Sequence, residues 1–279
     1  MKIALVNTSD YTKDSVRVSQ SIVKVLSDMG IEVSIPEYLK HNILEHTSIL
    51  ELANIKADAL MQAFEDTTID YICDISGGDT SNEVLSLLDY HTIERSKAVY
   101  MGYSDLTVIV NSIYAKTNRT SYLYSITNLL KKDRTLQIRR FKDYVLNQKE
   151  DLFNVEYKYI YGSNMSGTLI GGNVRCFSKL LGTPYLPNLK DKLLFLEARS
   201  GGAYQMISLL NQYKQAKVFD MVNGVVLGTF TAMETSCEVP TIEDIVLSIV
   251  PKTVPIAKTV QVGHGSNSKA LKIGTYYDI

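Results

Sequence analysis

Residues 71–82 read YICDISGGDTSN, and this stretch decides how the first half of the chain folds. Tyr71–Ile75 is a short apolar run typical of a buried strand, and Ser76-Gly77-Gly78 follows it as a tight turn. The residues from Asn82 onward have the apolar spacing of a helix. A strand, a tight turn and a helix in this order indicate a βαβ unit. The turn then lies at the carboxyl end of a strand, where open α/β sheets bind their ligands.

The segments on both sides repeat this pattern. Strands are predicted at Lys2–Val6, Ile31–Ile35, Asp70–Ile75 and Ala98–Met101. Helices are predicted at Ser15–Met29, Ala53–Phe64, Asn82–Leu88 and Leu106–Lys116. This regular alternation predicts an α/β fold, with a parallel sheet covered by helices on both faces.

The second half alternates less regularly. Strands are predicted at Lys192–Leu196, Gly224–Thr229, Thr259–Val262 and Ala270–Tyr276, and helices at Tyr204–Tyr213 and Ile242–Ile249. A basic run at Leu130–Tyr144 precedes the change and is typical of a solvated face. We therefore expect a first domain at residues 1–155 and a smaller, mixed α/β domain at residues 156–279.

Composition excludes several classes of function. Lys plus Arg number 29 and Asp plus Glu number 30 in 279 residues, a balance that leaves no basic footprint for nucleic acid or anionic lipid. Three scattered cysteines do not make a disulfide framework or a metal site. No apolar stretch is long enough to span a membrane, and the N-terminus has the pattern of a buried strand rather than a signal peptide. We expect a cytoplasmic protein without a metal, a nucleic-acid partner or a membrane partner.

Ser81 is the first candidate for chemistry. A turn between a strand and a helix exposes a serine beside free backbone N–H groups, as in a nucleophile elbow. A Gly-Gly turn after a strand is more often a phosphate- or nucleotide-binding loop or a plain turn, and the stretch is neither GxSxG nor GxGxxG nor a Walker A sequence.

Two further residues lie at predicted strand ends. Glu197 is a lone carboxylate that ends an apolar strand, and His264 lies in Gly263-His264-Gly265 after another strand. Taken singly, they indicate a solvated acid and a turn histidine. Together with Ser81 they supply the nucleophile, the base and the orienting carboxylate that a serine hydrolase needs.

Six short segments carry a resemblance to a known family. They are Gly77–Asn82, Gly102–Thr107, Gly167–Asn173, Leu181–Pro187, Leu194–Glu197 and Gly263–Gly265. In this order they resemble the L,D-carboxypeptidase family of serine peptidases, which also contains the microcin C immunity peptidases.

The resemblance implies a fold and a set of roles. The family has an N-terminal Rossmann-like domain that carries the nucleophile and a smaller C-terminal domain that carries the other two triad members. By motif, Ser81 resembles the nucleophile, His264 the general base and Glu197 the residue that orients it. The backbone N–H groups of Gly78 and Asn82 would form the oxyanion hole, and no cofactor is implied.

The expected activity is hydrolysis of the L,D amide bond that releases the C-terminal D-amino acid from muropeptide tetrapeptides in cell-wall recycling, by a homodimer. Asp79, Arg175 and Arg199 are candidate substrate-binding residues, because a carboxypeptidase must bind a free carboxylate and arginine does so with two parallel hydrogen bonds. Three alternatives stay open: an immunity-type peptidase that cleaves a peptidyl-nucleotide amide, a decayed muropeptide-binding protein, and a nucleotide-binding protein. The chain departs from the family pattern at Ala198, where members often have Asp, and it has no tryptophan.

Overall fold

In the computed structural model, which describes residues 1–41 and 47–279, the strands form two six-stranded sheets. The strands are β1 (Lys2–Val6), β2 (Glu32–Ser34), β3 (Tyr71–Asp74), β4 (Val99–Gly102), β5 (Ser121–Leu123), β6 (Lys158–Tyr161), β7 (Ser166–Asn173), β8 (Lys192–Ala198), β9 (Gly224–Phe230), β10 (Ile256–Lys258), β11 (Leu271–Ile273) and β12 (Tyr276–Asp278). The helices are α1 (Asp14–Asp28), α2 (Glu37–Lys40), α3 (Ile49–Glu65), α4 (Tyr90–Arg95), α5 (Thr107–Thr117), α6 (Arg134–Asn147), α7 (Val174–Ser178), α8 (Ala203–Gln215), α9 (Thr231–Ser236) and α10 (Ile242–Ile249).

The first sheet has the order β11-β5-β4-β3-β1-β2. Its strands from β5 to β2 run parallel, and β11 pairs with β5 in the antiparallel sense. The predicted Rossmann-like parallel sheet is therefore confirmed. Because β3 and β4 are parallel neighbours, the turns that follow them emerge side by side at one edge of this sheet.

The second sheet has the order β12-β7-β8-β9-β10-β6. Its four central strands are parallel, and the two edge strands are antiparallel to their neighbours, so the predicted mixed α/β region is also confirmed. β8 holds the run Leu193–Leu196, which is fully buried because both faces of the sheet are covered.

The two sheets do not separate cleanly along the chain. β11 belongs to the first sheet although it comes from the last ten residues. The segment between β10 and β11 therefore crosses from the second sheet back to the first and carries His264 with it. The division at residues 155 and 156 stays a prediction.

Three predicted elements differ from the observed ones. The strand predicted at Thr259–Val262 is wrong, since the strand is Ile256–Lys258. Thr259–Val262 instead lies beside β9 with isolated backbone hydrogen bonds, such as the one from the Thr229 N–H to the Val262 carbonyl oxygen at 3.0 Å. The helix predicted at Asn82–Leu88 is a 3₁₀ helix over Ser81–Leu87. The strand predicted at Ala270–Tyr276 is divided into β11 and β12 by a turn.

Within the described residues, no helix combines the length and the apolar character needed to cross a bilayer.

Candidate active site

Ser104 occupies the tight turn between β4 and α5. Its backbone φ is +61°, in the left-handed region that residues other than glycine rarely adopt. Gly102 makes the turn possible, because a Cβ at that position would lie 2.7 Å from the Cβ of Leu106. A strained turn from a strand into a helix, with the serine at its tip, is the geometry of a nucleophile elbow.

His264 lies between the Ser104 hydroxyl and the Glu197 carboxylate. Its Nε2 is 3.2 Å from Ser104 Oγ, and its Nδ1 is 2.7 Å from Glu197 Oε2. Glu197 is fully buried at the end of β8, and the His264 side chain is 11% exposed. The predicted contact between Glu197 and the His264 ring is therefore confirmed. The three side chains form a continuous path for a proton, with the carboxylate fixing the orientation of the imidazole.

Two neighbours hold the Glu197–His264 pair in place. The side-chain amide of Asn173 donates to Glu197 Oε1 over 3.1 Å, so each carboxylate oxygen has a partner. The ring of Tyr103 packs edge-on against the His264 ring, with centroids 5.1 Å apart. Burial, and then the nearby Glu197 carboxylate, raise the pKa of the Tyr103 phenol well above its ordinary value, so Tyr103 remains a neutral phenol beside the pair.

Ser81 does not face the histidine. It is fully buried, its hydroxyl donates to the backbone carbonyl oxygen of Asp105 over 2.7 Å, and its N–H donates to Asp105 Oδ2 over 2.8 Å. The predicted approach of Ser81 to His264 is wrong, because His264 faces Ser104 instead. Ser81 is therefore hydrogen-bonded to Asp105, the residue that follows Ser104 in the neighbouring turn.

Asn82 loses its predicted place in the oxyanion hole for the same reason. Its predicted role depends on its place directly after Ser81, whereas the residue that follows the serine at His264 is Asp105. Asn82 is exposed on the 3₁₀ helix and does not line the cleft that contains Ser104.

Sequence patterns alone do not single out Ser104, although its motif is one of the segments that carry the family resemblance. The signal is Gly102-Tyr103-Ser104, half of a GxSxG pattern, placed between a predicted strand and a predicted helix. Two parallel neighbouring strands, β3 and β4, each end in a glycine-containing turn that leads to a serine. Spacing along the chain does not tell which hydroxyl reaches a histidine that comes 160 residues after Ser104.

Ser104 lines a cleft of about 320 Å³ between the two sheets. The cleft is lined by Gly78, Asp79, Ser104, Asn173, Val174, Arg175, Ala198, Arg199, Ser200, Gln205, Met206 and Leu209. Four residues predicted for the oxyanion hole or for substrate binding, Gly78, Asp79, Arg175 and Arg199, are thus brought to the same cleft as the Ser104 hydroxyl.

The two arginines of the cleft differ in their partners. The Arg175 guanidinium forms an ion pair with Asp79 and lies 3.4 Å from the carbonyl oxygen of Gly78. Arg199 forms no ion pair with any part of the chain that the structure describes. Burial, and then the Arg199 cation, lower the pKa of Lys131, so a second positive group lies within electrostatic reach of Arg199. Among the described residues, Arg199 is therefore the cleft arginine without an acidic partner.

Acidic and hydroxyl side chains hold the loop that contains Gly78. Asp10 Oδ1 accepts from the Asp79 N–H at 3.1 Å and from the Thr80 hydroxyl at 2.9 Å. A side chain at Gly78 would collide with Asp10, and its φ of +143° also favours glycine. At Gly78 the loop therefore presents its backbone, rather than a side chain, to the cleft. Residues 1–41 and 47–279 contain no cluster of three or more His, Cys, Asp or Glu side chains that could bind a metal ion.

Comparison with known proteins gives the family. The model of the LD-carboxypeptidase N-terminal domain matches residues 3–124, and that of the LD-carboxypeptidase C-terminal domain matches residues 166–279. The chain belongs to the LD-carboxypeptidase family. This family of peptidases is the one that the sequence motifs resemble, and membership makes the chain a peptidase by family.

Individual members of the LD-carboxypeptidase family are distant in sequence. A Bacillus subtilis (strain 168) protein named "Probable murein peptide carboxypeptidase" is 23% identical over 261 residues, which cover 89% of this chain and 80% of that protein. A structure of the self-immunity protein MccF in complex with glutamyl sulfamoyl guanosine superposes with a TM-score of 0.84 at 18% identity, over 100% of this chain and 92% of that one. A muramoyltetrapeptide carboxypeptidase from Oxalobacter formigenes superposes with a TM-score of 0.80 at 18% identity, over 100% and 94%. The two structures share the two-sheet fold with this chain.

Proposed function

We propose that the protein is a serine carboxypeptidase that hydrolyses the L,D amide bond of muropeptide tetrapeptides and releases the C-terminal D-amino acid. The observation that carries the proposal is the path from Ser104 Oγ through the His264 ring to Glu197, with contacts of 3.2 and 2.7 Å. The name of the Bacillus subtilis relative, a probable murein peptide carboxypeptidase, supports the substrate class.

In the first half of the reaction, Ser104 Oγ attacks the carbonyl carbon of the scissile amide. His264 Nε2 takes the hydroxyl proton, and Glu197 stabilises the imidazolium that forms. The tetrahedral intermediate collapses when the carbon–nitrogen bond breaks and His264 returns the proton to the leaving amine. Water then hydrolyses the acyl ester of Ser104 by the same steps. The 3.2 Å contact is long for a hydroxyl–imidazole bond, as is common before substrate binds.

Two backbone N–H groups would stabilise the oxyanion. The N–H of Asp105 follows the nucleophile and lies in the first turn of a helix, where it has no partner within the helix. The N–H of Gly78 comes from the neighbouring loop, which lines the same cleft. Loss of one such donor costs about 3 kcal/mol of transition-state stabilisation in serine hydrolases.

Arg199 would bind the carboxylate of the C-terminal residue. It lines the cleft with Ser104 and has no ion-pair partner in the described residues, whereas the charge of Arg175 is compensated by Asp79. The substrate is a small peptide, and neither a metal nor an organic cofactor takes part in these steps. A homodimer in the cytoplasm remains the expected form of the protein.

The test is mass spectrometry of purified protein incubated with the tetrapeptide L-Ala-γ-D-Glu-meso-diaminopimelyl-D-Ala. We expect free D-Ala and the tripeptide, and neither product with Ser104→Ala. A parallel incubation with glutamyl sulfamoyl guanosine tests the immunity-type alternative, which the likeness to MccF supports only at the level of fold. Cleavage of this compound without cleavage of the tetrapeptide would replace the proposal by that alternative. Tight binding of the tetrapeptide without cleavage of either compound would point to a decayed binding protein.

A further inference from the structure

Lys179 comes from the second half of the chain and contacts two turns of the first sheet. It directly follows α7, and its ammonium donates to Asp105 Oδ1 over 2.5 Å and to the backbone carbonyl oxygen of Asp79 over 2.7 Å. Asp105 follows Ser104, and Asp79 follows Gly78. One cation therefore binds both the turn that carries Ser104 and the loop of Gly78 and Asp79, which lines the same cleft.

The carboxylate of Asp105 is fully buried directly beside the reacting serine. Burial alone would raise its pKa, but hydrogen bonds from Lys179, Ser81 and Ser9 lower it below the ordinary value, so Asp105 is ionised. An unpaired negative charge at this place would oppose the negative charge that develops on the substrate carbonyl oxygen. The Lys179 ammonium supplies the compensating charge at the shortest distance in this network.

From this geometry we propose that Lys179 is a positioning residue that fixes both backbone donors of the oxyanion hole and neutralises the Asp105 carboxylate. It contacts neither the His264 ring nor the Ser104 hydroxyl in the described structure, so it acts through the two turns. The inference rests on the proposed role of Ser104 and adds a residue from the second half of the chain that contacts both turns.

The experiment compares the full chain with Lys179→Met, Lys179→Arg and the control Lys258→Met. Lys258 is matched in exposure, at 16% against 20% for Lys179, and also makes two short contacts, with Glu234 at 2.7 Å and Glu243 at 2.6 Å. It lies on β10 and does not line the cleft of Ser104.

The main readout is the rate at which a fluorophosphonate labels Ser104. Ser104 Oγ forms a bond to phosphorus, fluoride leaves, His264 takes the hydroxyl proton, and the phosphoryl oxygen occupies the oxyanion hole. This rate can be measured without knowing the peptide substrate. A second readout is kcat and KM on the tetrapeptide, and melting temperatures show that each variant is folded.

We expect Lys179→Met to lower the labelling rate and kcat by about tenfold to a hundredfold with KM nearly unchanged, because the donors are displaced while the binding surface remains. Lys179→Arg keeps the charge and should recover part of the loss, and Lys258→Met should keep the parental rates. A folded Lys179→Met variant with parental labelling and kcat would overturn the inference but leave the proposed function intact. No labelling of the parent protein at Ser104 would remove the proposed function itself.

If Lys179→Met does not fold, the double variant Lys179→Met with Asp105→Asn carries the test, because it buries no unpaired charge. It should fold and still be labelled slowly, since the Asp79 carbonyl oxygen and the Asp105 side chain have lost their common donor. A double variant that reacts at the parental rate would equally overturn the inference.

Discussion

The hydroxyl of Ser81 donates a hydrogen bond to the backbone carbonyl oxygen of Asp105 over 2.7 Å. The backbone N–H of Ser81 also donates to the Asp105 side chain, so the turn after β3 is hydrogen-bonded to the turn after β4. Ser104 is therefore presented to His264 by a turn that a neighbouring strand end holds in place. Because Ser81 and Ser104 have different partners, substitutions at the two serines should have different effects on activity and stability.

Ser104→Ala should lower kcat by about four to six orders of magnitude, because it removes the nucleophile of a triad whose members act as a unit. The variant should melt near the parental temperature, since Ser104 is half-buried and, among the described residues, its hydroxyl has only His264 as a side-chain partner. The measurements are steady-state hydrolysis of the tetrapeptide and a thermal melt. Near-parental turnover would contradict the assignment of Ser104.

Ser81→Ala should behave differently. It leaves the buried carbonyl oxygen of Asp105 without this donor, which should cost about 1–3 kcal/mol of unfolding free energy. We expect kcat to fall only about tenfold, through displacement of the Ser104 turn. Urea unfolding and kinetics of the same preparation check this. If Ser81→Ala abolished turnover without loss of stability, Ser81 and not Ser104 would be the nucleophile.

Glu197→Gln should lower kcat by about 10²–10⁴-fold, because the amide does not stabilise the imidazolium and favours the wrong tautomer of His264. Asn173→Ala should give a smaller loss, since it removes one of the two partners of the Glu197 carboxylate. The two effects should be less than additive in the double variant, because both act through the orientation of His264. Full additivity of the two losses would mean that Asn173 acts independently of Glu197.

Arg199→Met should raise KM for the tetrapeptide about tenfold with little change in kcat, because a charge-assisted hydrogen bond to the substrate carboxylate is lost. A tetrapeptide amide, which offers no carboxylate, should be affected little. Arg175→Met is the comparison, and it should weaken both substrates alike, since it frees Asp79 inside the cleft. Equal losses on acid and amide in Arg199→Met would make Arg199 a structural residue.

The free energy of unfolding should depend on pH through the Asp105 carboxylate. Hydrogen bonds to the ionised side chain hold the pKa of Asp105 below its ordinary value in the folded protein, against the effect of burial. A lowered folded pKa means that this stabilisation is present above the unfolded value of about 3.9 and is lost as pH falls through the folded pKa. The loss of unfolding free energy between about pH 5 and pH 2 should therefore be smaller in Asp105→Asn than in the parent protein. Identical pH profiles of urea unfolding would show that Asp105 titrates normally.

Local sequence patterns determined the α/β class, the family and the positions of the longer helices α1, α3, α5 and α8 and of strands such as β1, β3 and β8. Runs such as Leu193–Leu196 are predictable because a strand buried on both faces must be continuously apolar, and this requirement acts within a few residues. Glu197 was found for the same reason, since a lone carboxylate at the end of such a run is conspicuous. His264 is conspicuous in the sequence because two glycines flank it, although the strand predicted before it is wrong.

Only the tertiary structure decided which serine meets the histidine. Ser81 and Ser104 both follow glycine-containing turns at the ends of adjacent parallel strands, so their local signals are nearly equivalent. The choice depends on where the crossing segment between β10 and β11 places His264, and that placement comes from pairing of β11 with β5. Lys179 likewise joins Asp105 and Asp79 across 74 and 100 residues of sequence. Such contacts are fixed by the packing of one sheet against the other, and no spacing along the chain encodes them.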